Sequence, residues 1–276
     1  MRMNKEEFKI KINEINNKHH YGFNELCEIM ALLRSENGCD WDKEQTHKSI
    51  RKNLIEETYE VIEAIDKDDF PLMREELGDL LLQVVFHSQI AKDEGYFNVD
   101  DVTDELCKKL IVRHPHVFGD VNVSGSDEVL KNWDAIKVNT KKIKTSTEAM
   151  NSISTSLPAL MRATKIGEKG AKVGFDFDDP TDAIIKVKEE ISEVENALSI
   201  GSRDDIKEEI GDLLLAVVNV ARLAKIDSEE ALYNANEKFI SRFKMVEEAA
   251  IKQGIDLKNT HRDTKEALWQ ASKLLK

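Results

Sequence analysis

The chain is 276 residues long and carries 53 acidic against 40 basic residues, a formal net charge of −13. A surface that negative repels nucleic acid and anionic lipid, so neither is an expected partner. With 4 Pro, 12 Gly, 6% aromatic and 34% charged residues, turn formers are too scarce for a strand-rich fold, and long amphipathic helices are expected.

Phe8, Ile12 and Ile15 recur at helical spacing and predict a short helix over 4–18. A second helix is predicted over 23–35, and the Asp-rich stretch GCDWDKEQT (38–46) reads as a turn. Helices are predicted over 48–67 and 71–94, with Pro71 in the first turn of the latter, where its missing N–H is harmless. Residues 99–113 and 126–143 are further helix candidates, separated by a loop at 113–127 that holds Pro115, Gly119 and Gly125. The Ser/Thr-rich segment 144–157 lacks periodicity and is the expected linker. Five helices are predicted after it, over 158–169, 180–199, 203–226, 228–253 and 263–275. The three cysteines, Cys27, Cys39 and Cys107, have no paired spacing, the N-terminus has no apolar signal core, and the longest apolar runs are too short to span a membrane. A cytoplasmic setting is expected.

The strongest signal is an internal repeat. EELGDLLLQVVFHSQIAK (75–92) parallels EEIGDLLLAVVNVARLAK (208–225), and LIEETYEVIEAI (54–65) parallels VKEEISEVENAL (187–198), with the same separation in both halves. GCDWDKEQT parallels GFDFDDPT (174–181), KLIVR (109–113) parallels KFISR (238–242), and NWDAIK (132–137) loosely parallels LWQASK (268–273). Five blocks in one order make the chain two copies of one helical unit. The expected layout is an N-terminal extension over 1–22, a first unit over 23–143, the linker over 144–157 and a second unit over 158–276.

Each copy carries E-E-x-x-E and then E-x-x-D. The first supplies Glu56, Glu57 and Glu60, then Glu76 and Asp79; the second supplies Glu189, Glu190 and Glu193, then Glu209 and Asp212. Residues three apart share a helix face, and the short break at 67–71 folds the first pair of helices into an antiparallel hairpin. Four carboxylates then converge beside an apolar run, where repulsion and desolvation call for a cation. Mg²⁺ suits this set, because it takes few carboxylates and keeps water or phosphate oxygens as its other ligands; Mn²⁺ is the natural substitute. A single motif of this kind is usually a solvated helix face; two, duplicated at fixed spacing against apolar runs, argue otherwise. Gly78 and Gly211, inside helices beside these acids, suggest close approach of another helix or a ligand.

The motifs GCDWDKEQTH, EETYE, EELGDLLLQVVF and RHPHVF, followed by GFDFDDP, EEISE, EEIGDLLLAVVN and NEKFISRF, resemble those of the MazG nucleoside triphosphate pyrophosphohydrolases, over about residues 23–276. The resemblance implies an all-α fold of two tandem helical-bundle units, homodimers, and Mg²⁺-dependent hydrolysis of nucleoside triphosphates, ATP among them, to monophosphate and pyrophosphate. It implies nucleotide-pool control or house-cleaning as the role and the C-terminal copy as the main catalyst. Carried over by residue, Glu190, Glu193, Glu209 and Asp212 are the implied metal ligands of the second copy, with Glu57, Glu60, Glu76 and Asp79 retained in the first. Lys186 matches a nucleotide-contacting lysine, Lys238 and Arg242 a phosphate clamp, and Trp269 a tryptophan near the nucleotide. Lys109 and Arg113 are the clamp of the first copy, which has Asn53 in place of Lys186.

In such a site the metal bridges an acidic protein to an anionic triphosphate, and a water polarised by the metal or by a carboxylate such as Glu189 is the nucleophile. Lys238 and Arg242 could instead pair with Glu237 or Glu247, and Trp269 and Trp133 could be core residues. His114 and His116 have no counterpart in the second copy and are given no role; His87 aligns with Val220 and is expected to be packed. A di-iron bundle would need Glu-x-x-His pairs, which neither copy has, and no P-loop occurs. The alternative from another class is a non-enzymatic helical scaffold or regulatory nucleotide-binding module.

Overall fold

The computed structural model describes residues 4–126, 128–129, 132–133, 136 and 144–274. Among them every regular element is a helix, so the fold is all-α, and the chain divides into two compact units, 1–140 and 141–276. No helix of the described residues is long and apolar enough to cross a membrane.

The first unit contains α1 (Lys5–Asn16), α2 (Phe23–Leu33), α3 (Asp40–Glu44), α4 (Arg51–Asp66), α5 (Phe70–Asp93), α6 (Val99–Arg113) and α7 (Pro115–Phe118). Asn4 and Glu7 form a capping box that starts α1. The helix docks on α2 through Lys11–Glu28 at 2.6 Å and Lys18–Glu25 at 2.7 Å, with Ile15 buried. Between α4 and α5 the chain reverses in a few residues: Asp68 takes a left-handed φ of 52°, and the Asp69 carboxylate accepts the Leu72 N–H at 3.1 Å. The core lies where the second half of α5 (Val85, Phe86, Ile90) meets Met30 of α2 and Ile50, just ahead of α4. The acid motifs sit nearer the hairpin turn than this apolar half, so the core fixes the helices while leaving the acids accessible.

The second unit contains α8 (Ser146–Asn151), α9 (Ala159–Ala171), α10 (Pro180–Ile200), α11 (Arg203–Leu223), α12 (Ser228–Gln253) and α13 (Arg262–Leu274). Gly201 and Ser202 join α10 to α11. A Cβ on Gly201 would stand 2.7 Å from the Ala197 carbonyl oxygen, so the turn needs glycine, and Ser202 with Asp205 caps α11. Gly254, at φ 64°, ends α12 in the left-handed conformation that α13 requires to fold back. Val246, Ala250 and Leu268 form the core between α12 and α13, with Trp269 against it.

Three short helices lie where periodicity shows none. α3 occupies the Asp-rich turn, and α7 the Pro-containing loop. Residues 144–157 are not wholly irregular either: Thr145 and Glu148 form a capping box that starts α8, and Ile153 is buried. Its Ser/Thr-rich composition hides a helix set by capping rather than by an apolar stripe. The helix expected over 126–143 falls largely outside the described residues.

Candidate active site

In the second unit α10 and α11 bring Glu190, Glu193 and Glu209 together, each offering a carboxylate oxygen within 4.8 Å of the others. Glu190 and Glu209 are 19 positions apart, most of them in the end of α10 and the start of α11, and the reversal at Gly201 and Ser202 lays the two helices side by side so that the acids converge. Asp212 lies outside this set of three, yet its charge is among those that push the Glu209 carboxyl up; burial is the first cause and Glu190 the next. Glu193 is also raised, first by its hydrogen bond to Glu190.

Glu190 is 4% exposed. One of its oxygens, Oε1, takes the Lys186 ammonium at 2.6 Å, and the same ammonium reaches Glu189 Oε1 at 2.8 Å. These two carboxylates, Glu189 first, hold the Lys186 pKa above its ordinary value. The other oxygen of Glu190 is buried without a partner among the described residues. An orphaned carboxylate oxygen costs about 1–3 kcal/mol or more unless something binds it. Beside two further carboxylates it presents an all-oxygen donor set, which fits a hard divalent cation.

In the first unit α4 and α5 bring Glu57, Glu76 and Asp79 within the same 4.8 Å limit. Glu60 lies outside that set but hydrogen-bonds Glu57. Glu57 is raised by burial and then by Asp79; Glu76 is raised by burial and then by Glu60. Among the described residues no ion pair reaches any of these four acids. The two units thus repeat the carboxylates without repeating the counter-charge.

Lys238 and Arg242 lie one turn apart on α12, and among the described residues neither forms an ion pair, with Glu237, Glu247 or any other acid. Trp269 of α13 packs on the core and stands 5.1 Å from the Phe239 ring, which stacks at 6.1 Å on Phe243. In the first unit the Arg113 guanidinium lies 5.1 Å above Trp133, and His114 meets the same ring edge-on at 4.9 Å. Lys109 is exposed.

Residues 45–118 and 178–247 each match the MazG nucleotide pyrophosphohydrolase domain. The chain belongs to the MazG family. It is a nucleotide pyrophosphohydrolase, and so a hydrolase. The nucleoside triphosphate pyrophosphohydrolase/pyrophosphatase MazG of Thermotoga maritima is 44% identical over 251 residues, covering 91% of this chain and 95% of that protein. The nucleoside triphosphate pyrophosphohydrolase of Escherichia coli K12 is 45% identical over 251 residues, covering 90% and 95%. YabN of Bacillus subtilis, described as uncharacterized, is 45% identical over 255 residues, which cover 92% of this chain and 52% of YabN.

Several features of this MazG chain differ from what its motifs suggest. A Cβ built on Gly78 or Gly211 would meet nothing within 4 Å, so no other helix of the described residues approaches either glycine. His87 is packed, as expected, but against another histidine: the His47 and His87 rings stack at 5.1 Å with their Nδ1 atoms 2.8 Å apart. His114 meets the Trp133 ring edge-on, and the His116 ring lies against His114 with centroids 5.7 Å apart. Sequence reasoning missed two arginine clips. Arg34 donates to the Asp42 and Gln45 carbonyls and pairs with Asp93 at 2.8 Å, pinning α3 to α5. Arg222 of α11 grips both carboxylate oxygens of Asp176, pinning the matching Asp-rich turn. No repeat flags them, because the arginines come from different helices in the two copies. Phe239 and Phe243 were also missed, although their i, i+4 spacing on α12 beside Lys238 was visible.

Proposed function

We propose that this MazG protein hydrolyses nucleoside triphosphates to monophosphate and pyrophosphate in an Mg²⁺-dependent reaction, with the C-terminal unit as the main catalyst. The observation that carries the reading is the Glu190–Glu193–Glu209 cluster, with the buried and unpartnered second oxygen of Glu190 inside it. Glu190, Glu193 and Glu209 hold the cation, with Asp212 completing the set. Bound Mg²⁺ supplies positive charge to phosphate oxygens in a site that would otherwise repel them. Mn²⁺, with the same preference for oxygen, replaces it.

The remaining chemistry falls to the chain's own residues. Lys186, Lys238 and Arg242 bind the phosphates, Arg242 with the planar fork suited to two oxygens at once. Trp269, with Phe239 and Phe243 at its side, offers an aromatic edge to the base. Glu189, outside the cluster of three and 55% exposed, accepts the proton of the attacking water. The water oxygen bonds to phosphorus as the bridging P–O bond between the α and β phosphates breaks, and the electron pair leaves on the bridging oxygen. In the first unit Glu57, Glu60, Glu76 and Asp79 hold a cation, and Lys109 and Arg113 are the phosphate-binding pair.

The reading extends to assembly and setting. The hairpins expose apolar side chains, Tyr59, Ile62, Leu77 and Leu81 on one and Leu214 and Val217 on the other. Uncovered apolar faces of this kind are characteristic of subunit interfaces, which supports a homodimer. Nucleotide-pool house-cleaning in the cytoplasm, with neither nucleic acid nor membrane as partner, is the corresponding role.

The test offers purified protein a panel of NTPs and dNTPs with Mg²⁺ and identifies the products. Monophosphate plus pyrophosphate is expected; diphosphate plus orthophosphate, or no turnover, refutes the reading.

A further inference from the structure

The two copies differ most sharply at one position of the acid site. Lys186 stands one helical turn before Glu190 on α10, and Asn53 occupies the aligned place on α4. In the second unit the ammonium is already seated on the carboxylates, 2.6 Å from Glu190 and 2.8 Å from Glu189. It does there what a metal would do, supplying positive charge to a cluster that repels itself. Its seat is nevertheless incomplete. The second oxygen of the almost fully buried Glu190 remains without a partner, so the lysine neutralises the site from one side and leaves the interior acceptor open.

A divalent cation and this ammonium cannot share Glu190 comfortably. Mg²⁺ binds oxygen at about 2.1 Å, which places two positive charges on opposite edges of one small carboxylate, only a few ångströms apart. The lysine is the one able to yield. It is a single charge on a flexible four-carbon stem, and its side chain is 38% exposed, whereas the cluster is fixed by two packed helices. Its departure also releases Glu189, whose Oε1 it now holds.

Resting on the functional reading above, we propose that Lys186 is the resident counter-ion of the metal-free C-terminal site. A divalent cation entering the Glu190–Glu193–Glu209 cluster expels it toward the phosphates and simultaneously frees Glu189. Metal binding therefore precedes productive nucleotide binding in this unit. With Asn53 in place of the lysine, the N-terminal unit has no such exchange, and its metal and nucleotide affinities are independent of one another at this position.

The test measures Mn²⁺ binding by electron paramagnetic resonance on the full chain, with the N-terminal acids silenced by Glu60→Gln and Asp79→Asn. Lys186→Met tightens Mn²⁺ binding about fivefold without nucleotide, the scale expected when a partly exposed competing ion pair is removed. The reciprocal variant, Asn53→Lys in a chain silenced by Glu193→Gln and Asp212→Asn, weakens Mn²⁺ binding by a similar factor. In the wild-type chain, reductive methylation of Lys186 read by mass spectrometry is slow in EDTA and accelerated by Mn²⁺ alone. Unchanged or weaker Mn²⁺ affinity in Lys186→Met, or a methylation rate indifferent to Mn²⁺, overturns the proposal. If the wild-type chain binds Mn²⁺ and releases pyrophosphate while these readouts stay flat, the proposal alone falls. If it binds no Mn²⁺ at all, the functional reading falls and the proposal with it.

Discussion

Replacing Glu190 with Gln separates the structural cost of the site from its use. Glu190 is 4% exposed, and one of its oxygens accepts no hydrogen bond among the described residues. An unsatisfied buried polar atom costs about 1–3 kcal/mol, and more when charged. Two neighbouring carboxylates, Glu193 and Glu209, add repulsion. Gln keeps the shape and removes the charge; what is lost is the contact to Lys186, whose ammonium is accessible to water and still has Glu189. The balance favours the variant by about 1 kcal/mol in EDTA, which corresponds to a rise of about 3–5 °C in the melting temperature of a unit this size. With metal the order reverses. The second unit of the wild type gains about 2.7 kcal/mol at a hundred times the dissociation constant, and that of Glu190→Gln gains almost none. Thermal unfolding in EDTA and in saturating Mg²⁺, followed by circular dichroism, reads both effects. A variant that melts below the wild type in EDTA, or that is stabilised by Mg²⁺ as strongly as the wild type, refutes the reasoning.

Glu193→Gln lowers kcat by about a hundredfold or more, while Glu60→Gln removes much less; equal losses in a pyrophosphate-release assay would overturn the C-terminal emphasis. Arg222→Ala unpins the turn at Asp176 and costs about 2 kcal/mol in urea unfolding, between the values for exposed and buried pairs. Because Arg222 holds the Asp176 carboxyl below its ordinary value, that stabilisation is present above the unfolded carboxylate pKa and lost as pH falls through the folded one. The acid limb of the stability curve is therefore flatter in the variant, and an unchanged limb counts against the clip. His87 is held below its ordinary value, first by burial and then by His47, so the unfolded chain binds the extra proton. Stability of the first unit falls as pH drops below the unfolded histidine value. His87→Val, which copies the residue at Val220, removes that dependence; a Val variant as acid-sensitive as the wild type would exclude the pair as its source.

The hairpins were legible because two independent signals coincide there. α4, α5, α10 and α11 combine a 3.6-residue apolar rhythm with acids repeated at one spacing, and the Asp, Ser and Pro residues that start α5, α10 and α11 are local capping chemistry. α3, α7 and α8 were not legible, since helices of four to six residues are too short for a period and arise from caps and tertiary contacts. The glycines are a different case. A glycine inside a helix beside an acid motif reads as a close approach of another helix or a ligand; no other described helix comes near Gly78 or Gly211, and the space beside each is open. The arginine clips were invisible for a topological reason: Arg34 and Arg222 hold equivalent turns from different helices, so aligning the copies places Gln89 opposite Arg222 and conceals the shared task.

The formal charge of −13 looks like a bulk property, but part of it belongs to two focused sites whose handling differs. In the second unit Lys186 offsets the cluster within the fold, at the cost of competing with whatever cation arrives. In the first, Asn53 leaves the acids uncompensated, and burial and mutual repulsion hold Glu57 and Glu76 above their ordinary pKa. Neutralisation there must come from protons or from a cation. A cation held by the first unit would therefore compete with protons, and so would one held by the second, where Glu193 and Glu209 are raised as well. In the second unit a cation would compete in addition with a lysine that stays charged throughout that range, so its affinity would also answer to whatever engages Lys186. A triphosphate is such a ligand. The two copies thus share one set of oxygens and the same competition with protons, and they differ in the ammonium that the second adds at the position where the first has Asn53.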